Sequence, residues 1–183
     1  MVTRITTAVT AVLAGLLIAA PALQAQDNPC AAADQMATDQ VAHAVSAAPE
    51  FISANAAVVD MEGNVLREGT NGWTCMPAED PMCLDEAWVE FIHAYMNQTE
   101  PSVTTTGFGY MINCCSEGGS NTDPYAEEET ADNEWLSAGG PHLMLIVPDV
   151  ATLASLPTHP DTGGPWVMWR DTPYAHVMIP LGN

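Results

Sequence analysis

Apolar residues follow a helical period in two stretches of the chain. The first, residues 31–48, is rich in alanine and has larger apolar residues at helical spacing; Pro49 is expected to end that helix. The second, residues 80–98, has the clearer pattern, with Asp80 placed to cap the first turn and Pro81 at the first helical position. The pattern therefore predicts two main helices.

Short runs of β-branched and aromatic residues elsewhere predict strands. Two such runs flank Glu62 and Gly63, an arrangement typical of a hairpin. Further strands are predicted in "EPSVTTTGFGYMIN", "HLMLIVP", "WVMWR" and "AHVMIP", and a short helix in "DVATLASLP". The order of elements predicts an α+β fold: one domain with a largely antiparallel sheet, two main helices and a long acidic loop.

The first residues have the layout of a secretory signal peptide. Arg4 precedes an apolar stretch that is too short to span a membrane comfortably, and small residues follow Pro21. Cleavage is expected after Ala25, which leaves residues 26–183 as a single exported globular domain. The expected location is the periplasm or the outside of the cell, with no membrane attachment after cleavage.

The charge of the chain is strongly negative. It has 23 Asp and Glu residues against 3 Lys and Arg, a formal net charge of -20. Nucleic acids and anionic membranes need basic groups, so both are excluded as expected partners. A metal ion, a small ligand or a basic partner fits better, although acidity also serves simply to keep an exported protein soluble.

Cysteines predict one disulfide and leave the remaining pairing open. "CMPAEDPMC" encloses a short loop rich in proline, which favours a bridge between Cys75 and Cys83. Cys30 then has Cys114 or Cys115 as partner, with one thiol left over.

Two similar phrases, "PHLMLIVP" and "YAHVMIP", each place His-x-Met in a short apolar run. Alternate residues of a strand share a face, so His142 lies beside Met144 and His176 beside Met178. If the two strands are neighbours, these four side chains form a candidate metal site, with copper favoured because thioether and imidazole groups suit Cu(I). Met168 is an additional candidate ligand. The alternative is that methionine fills gaps in the core and each histidine hydrogen-bonds nearby.

Other functions depend on weaker patterns. The acidic loop, residues 116–134, offers oxygen ligands for calcium, but without the spacing of an EF-hand. A hydrolase-like enzyme would use His142 or His176 with an acidic partner such as Asp123, although no catalytic motif supports it. An acidic protein-interaction module is a third hypothesis.

Several motifs carry a resemblance to a family: "NGWTC", "DPMCLDEAW", "SNTDP", "GPHLMLIVP" and "GGPWVMWRDTPYAHVMIP". Together they resemble a family of small exported bacterial proteins of unknown function. The resemblance implies export and a single domain, and it implies no activity, cofactor or residue role. The sequence thus leads to an exported binding protein whose ligand is open.

Overall fold

A sheet of eight strands forms the centre of the fold. The computed structural model describes residues 39–114, 118–136 and 140–182. The expected signal peptide, Cys30 and Cys115 lie outside these residues. The strands of the chain are β1 (Ala57–Val59), β2 (Val65–Arg67), β3 (Thr74–Met76), β4 (Met82–Leu84), β5 (Gly107–Met111), β6 (Gly119–Ser120), β7 (Trp135–Leu136), β8 (His142–Ile146), β9 (Trp166–Met168) and β10 (His176–Pro180).

Helices are short in the described part of the chain. The α-helices are α1 (Gln40–Val45), α2 (Glu50–Ser53) and α3 (Glu86–Met96), and 3₁₀ helices span Val150–Leu153 and Pro160–Thr162. None of these described helices has the length and apolar character needed to cross a membrane. The α+β fold with a mostly antiparallel sheet is confirmed.

The strands of the large sheet follow the order β2-β1-β3-β4-β5-β8-β10-β9. Only the β1–β3 pair is parallel; the others in this sheet are antiparallel. Strands β6 and β7 form a separate two-stranded sheet at the base of the acidic segment. The predicted hairpin around Glu62 and Gly63 is confirmed as β1–β2, with Gly63 at a φ of 88° that favours glycine.

The predicted start of the second helix, at residue 80, was wrong. Residues 82–84 form β4, and α3 begins only at Glu86. The disulfide between Cys75 and Cys83 is confirmed, and it joins directly opposite residues of β3 and β4, which holds this segment in the sheet. Asp85, not Asp80, is the cap: its Oδ1 accepts from the Trp88 amide at 3.0 Å and its Oδ2 from the Phe108 amide at 2.7 Å. One carboxylate thus joins the start of α3 to β5.

The first predicted helix is described only from Asp39 onward. There α1 ends at Val45, and Pro49 stands at the N-cap of a further short helix, α2. Proline has no amide hydrogen to lose at a helix start, so the residue expected to stop one helix precedes the next.

Each face of the sheet is covered by a different layer. The face we call inner packs against α3, through Trp88 and Phe91. Gly107 and Gly109 of β5 lie on this face, and a Cβ at Gly109 would sit 2.9 Å from both Leu84 Cδ2 and Met144 Cε. The glycines therefore bring neighbouring side chains close over β5. The opposite, outer face is covered by α1 at one end and by the 3₁₀ helix Val150–Leu153 at the other.

Candidate functional site

All four residues of the predicted metal site face one cavity. His142, Met144, His176 and Met178 lie on the inner face of β8 and β10, which are adjacent and antiparallel. With α3 above them, they line a cavity of about 290 Å³. The neighbouring strands and the shared face that the sequence required are therefore both present.

The register sets how these residues face each other. Met144 lies directly opposite Met178, whereas His142 lies opposite Pro180. Along β10, Pro180 and His176 are four residues apart, so the two histidine backbones are separated by about 14 Å at the ordinary rise of a strand. The methionines thus occupy the centre of the arrangement and the histidines its two ends.

His142 is held in one tautomer. Its ring Nδ1 lies 2.7 Å from the carbonyl oxygen of Gly140. A carbonyl only accepts, so Nδ1 carries the proton and Nε2 has a lone pair. That Nε2 is buried and has no hydrogen-bond partner. Burial lowers the pKa of His142, partly offset by the Gly140 bond and the charge of Asp80. A neutral imidazole with an unused lone pair is the form that binds metals.

His176 has the same arrangement on the other strand. Its Nδ1 donates to the carbonyl of Tyr174 at 2.9 Å, which leaves the lone pair on Nε2. Its burial lowers its pKa to about 4, with a smaller lowering from the nearby His142. Trp169 approaches the ring edge-on, with centroids 4.9 Å apart. Both histidines are therefore neutral at pH 7 and fixed by the backbone two residues before them.

Methionine is unusually frequent on this face. The register places one methionine on the inner face of each of six consecutive strands. In sheet order these are Met76, Met82, Met111, Met144, Met178 and Met168. All except Met76 line the cavity. Five thioether sulfurs thus border the same space as two imidazoles.

Two tryptophans of the cavity wall carry unused polar groups. The indole nitrogens of Trp88 and Trp166 are buried without a hydrogen-bond partner. Together with Nε2 of His142, three buried nitrogens at one cavity are unsatisfied by the protein, although such groups are normally paired. The wall of the cavity therefore carries three buried nitrogens whose hydrogen-bonding capacity the described residues leave unused.

An aromatic stack forms one wall of the cavity. Tyr95 of α3 stacks on Trp169, with centroids 5.3 Å apart and planes at 6°, and on its other side on Tyr125 at 5.3 Å and 12°. The Trp169 indole donates to the Ser120 carbonyl at 2.8 Å, and its amide donates to the Asn121 carbonyl at the same distance. These two hydrogen bonds hold the part of the acidic loop that connects β6 and β7 beside the cavity.

Hard-metal ligands are not clustered in the described residues. Within residues 39–114, 118–136 and 140–182, no three histidine, cysteine, aspartate or glutamate side chains come together as a metal site. The calcium hypothesis thus finds no ligand cluster among the carboxylates described. A metal at the cavity would need thioether ligands, which only soft ions favour.

The acid–base candidates are not brought together at the cavity. Asp123 lines no part of it; its Oδ1 accepts from the Tyr125 amide at 2.9 Å in a surface turn. The acidic side chain that does line the cavity is Asp80, on the side of His142. His159 lies elsewhere, with Nδ1 2.7 Å from Asp161 Oδ1 and Nε2 3.8 Å from Glu134 Oε1.

Comparison with known proteins adds no relative. No protein-family model, curated protein or solved structure matches the chain. The functional argument therefore depends on the geometry of the cavity.

Sequence reasoning missed part of the site. Met111 and Met82 lie far along the chain from the His-x-Met phrases, and only the pairings of β5 with β8 and of β4 with β5 bring them close. Trp88 and Trp166 were not among the predicted site residues. The signal that was available for them was compositional: a chain with ten methionines and five tryptophans.

Proposed function

We propose that this protein binds Cu(I) in the cavity between α3 and the inner face of the sheet. The observation that carries the proposal is the pair of buried, neutral histidines whose Nδ1 atoms are both held by backbone carbonyls. Metal-binding histidines have this arrangement, because a bond to one ring nitrogen fixes the tautomer and orients the other nitrogen.

The remaining ligands define the type of metal. Met144 and Met178 face the same cavity, and thioether sulfur prefers soft ions. Imidazole and thioether are both uncharged, so a site made of them favours a monovalent ion over a divalent one, whose charge would be poorly compensated in an apolar cavity. Cu(I) fits both requirements better than Cu(II), zinc or calcium.

Charge outside the cavity supports the same function. The formal net charge of -20 attracts cations toward the protein. The proposal also includes export, which rests on the pattern of the first residues; the disulfide is compatible with it. Sequencing the amino terminus of protein collected from the periplasm or medium tests this part, and an uncleaved chain retained in the cytoplasm would contradict it.

The decisive test is a Cu(I) titration under reducing, anaerobic conditions against a coloured Cu(I) chelator. The purified protein should withdraw copper from the chelator, and a His142→Ala/His176→Ala variant should lose this ability. His93→Ala, at an exposed position of α3, is the matched control and should bind as the native protein does. Thermal unfolding without metal confirms that each variant is folded.

Two results would refute the proposal. One is the absence of Cu(I) binding by the native protein. The other is equal binding by the native protein and the double variant, which would place the copper elsewhere. Binding should also raise the melting temperature of the native protein, because an ion that binds only the folded state stabilises it.

A further inference from the structure

We propose that the cavity holds two Cu(I) ions, each bound by one histidine and two methionines. This inference rests on the proposed function and adds its stoichiometry and ligand sets. The first half-site consists of His142, Met144 and Met111. The second consists of His176, Met178 and Met168.

The two half-sites follow from a local two-fold relation in the sheet. Met144 and Met178 are directly opposite each other in the antiparallel pair β8–β10. A two-fold axis between them carries His142 onto His176, because each histidine lies two residues before its methionine. The repeated phrase in the sequence therefore becomes a repeated arrangement in space.

The relation extends to the next strand on each side. Met111 of β5 lies directly opposite His142. Met168 of β9 lies directly opposite His176. Directly opposite residues of an antiparallel pair have Cβ atoms about 5 Å apart, so each histidine has one methionine across the strand and one beside it.

The pairing of each histidine with two methionines of its own is the argument for two ions rather than one. The histidine backbones are about 14 Å apart, at opposite ends of the arrangement. Met144 leans toward β5, since its Cε lies 2.9 Å from the position of a Cβ at Gly109. It therefore extends toward the strand of Met111. This assigns Met144 to the first half-site and leaves Met178 to the second.

The cavity has room for two ions and a ligand nitrogen without a hydrogen-bond partner. A volume of about 290 Å³ exceeds what two ions with their thioether contacts require, given about 30 Å³ for a single water. Nε2 of His142, which is buried and unpartnered, borders this space. Met111 and Met168 are only partly buried, so both outer ligands are reachable by incoming ions.

The experiment counts bound ions by native mass spectrometry, using Cu(I) alone and, in parallel, Ag(I) as a soft ion that needs no reductant. The native protein should bind two ions. A Met111→Leu/Met144→Leu variant should bind one, and a Met168→Leu/Met178→Leu variant should also bind one. Leucine keeps the apolar volume of methionine and removes the sulfur.

Met76→Leu is the matched control. It lies on the same sheet face and is buried, yet it does not line the cavity, so this variant should still bind two ions. Thermal unfolding of each metal-free variant separates loss of ligands from loss of fold. A paired variant that does not fold is replaced by its two single substitutions, each expected to weaken one ion only.

The outcomes distinguish this inference from the proposed function. One ion in the native protein, lost in both paired variants, would overturn the two half-sites while copper binding stands. Two ions retained in either paired variant would overturn the ligand assignment. No ion bound by the native protein would refute copper binding itself.

Discussion

The two faces of the large sheet are made by the same strands and differ in what they leave unsatisfied. The outer face carries Val58, Cys75, Cys83 and Val177, all buried and all in contact with other apolar groups. The inner face carries histidines, thioethers and, from α3 and β9, indole nitrogens without partners.

The difference between the two faces indicates which one to test for packing and which one to test for ligand binding. On the outer face the buried side chains of the strands are apolar or disulfide-bonded and are explained by the core they form, and one ring nitrogen of the covering helix, Nδ1 of His43, is buried without a partner. On the inner face the same strands enclose a cavity and bury polar nitrogens, both of which cost stability. The inner face is therefore the one to test for ligands and the outer face the one to test for stability.

The largest expected effect is a pH dependence of the free energy of unfolding, which comes from the buried histidines of the inner face. Burial lowers the pKa of His176 from 6.5 to about 4. The unfolded chain takes up a proton near pH 6.5 while the folded chain does not, so stability is complete above that pH and falls toward pH 4. The expected loss is about 3 kcal/mol, since one pKa unit equals about 1.4 kcal/mol. His142 contributes in the same direction.

Urea unfolding of the metal-free protein between pH 7 and pH 4 measures this effect. A His176→Phe variant should show a flatter profile, whereas His93→Gln, at an exposed position, should keep the native one. An unchanged profile in the His176 variant would remove the pH contrast between the two faces.

Removing the disulfide tests the outer face. A Cys75→Ala/Cys83→Ala variant should unfold with about 2–3 kcal/mol less free energy, because the bridge restricts the unfolded chain over a short loop. Both cysteines lie on the face opposite the cavity, so Cu(I) affinity should be unchanged well below the unfolding transition. Loss of copper binding in a folded variant would show that the two faces are not independent.

A methyl group added at Gly109 tests the close packing over β5. The new Cβ would meet Leu84 Cδ2 and Met144 Cε at 2.9 Å, so Gly109→Ala should cost about 1–3 kcal/mol and displace the Met144 thioether. Gly164→Ala is the control, because its Cβ position makes only an ordinary contact with Thr162 Oγ1 at 3.6 Å and Gly164 does not line the cavity. Unfolding curves and Cu(I) titration of both variants give the comparison, and equal stability of the two would contradict it.

The smallest expected effect is the salt dependence of the free energy of unfolding. It comes from charged residues on the solvent-exposed surface outside both faces of the sheet. Among the described residues, the two arginines donate to backbone carbonyls: Arg67 to Ser53 and Ala56, and Arg170 to Leu153 and Leu156. In this part of the chain the surface carboxylates thus form no ion pair with either arginine, and the repulsion among them is screened by salt.

Added sodium chloride should therefore raise the free energy of unfolding by about 1 kcal/mol or less. A Glu128→Gln/Glu129→Gln variant should gain stability at low salt and respond less to salt. Scanning calorimetry at two salt concentrations checks this, and a native protein destabilised by salt would contradict it.

Local patterns predicted the strands of the site and their shared face, but they did not predict the cavity. The period of two in "HLMLI" and "HVMIP" placed His142 beside Met144 and His176 beside Met178, which the register confirms. Met168 was a candidate ligand from the sequence, whereas Met111 was not, because only the long-range pairing of β5 with β8 places it opposite His142. The helix predicted from Asp80 failed for a similar reason: pairing with β3 overrode a good local helix start.

Arg67 and Arg170, which donate hydrogen bonds to backbone carbonyls, also determine how fast trypsin can cleave the folded chain. The chain contains no lysine, so trypsin has cleavage points only after Arg4, Arg67 and Arg170. In the folded domain the guanidinium groups of Arg67 and Arg170 donate hydrogen bonds to main-chain carbonyls, and both side chains are partly buried. Cutting there needs local opening, so the rate of tryptic digestion reports how often these two segments detach from the fold. The folded domain therefore offers trypsin-like enzymes few cleavage points until these two segments open.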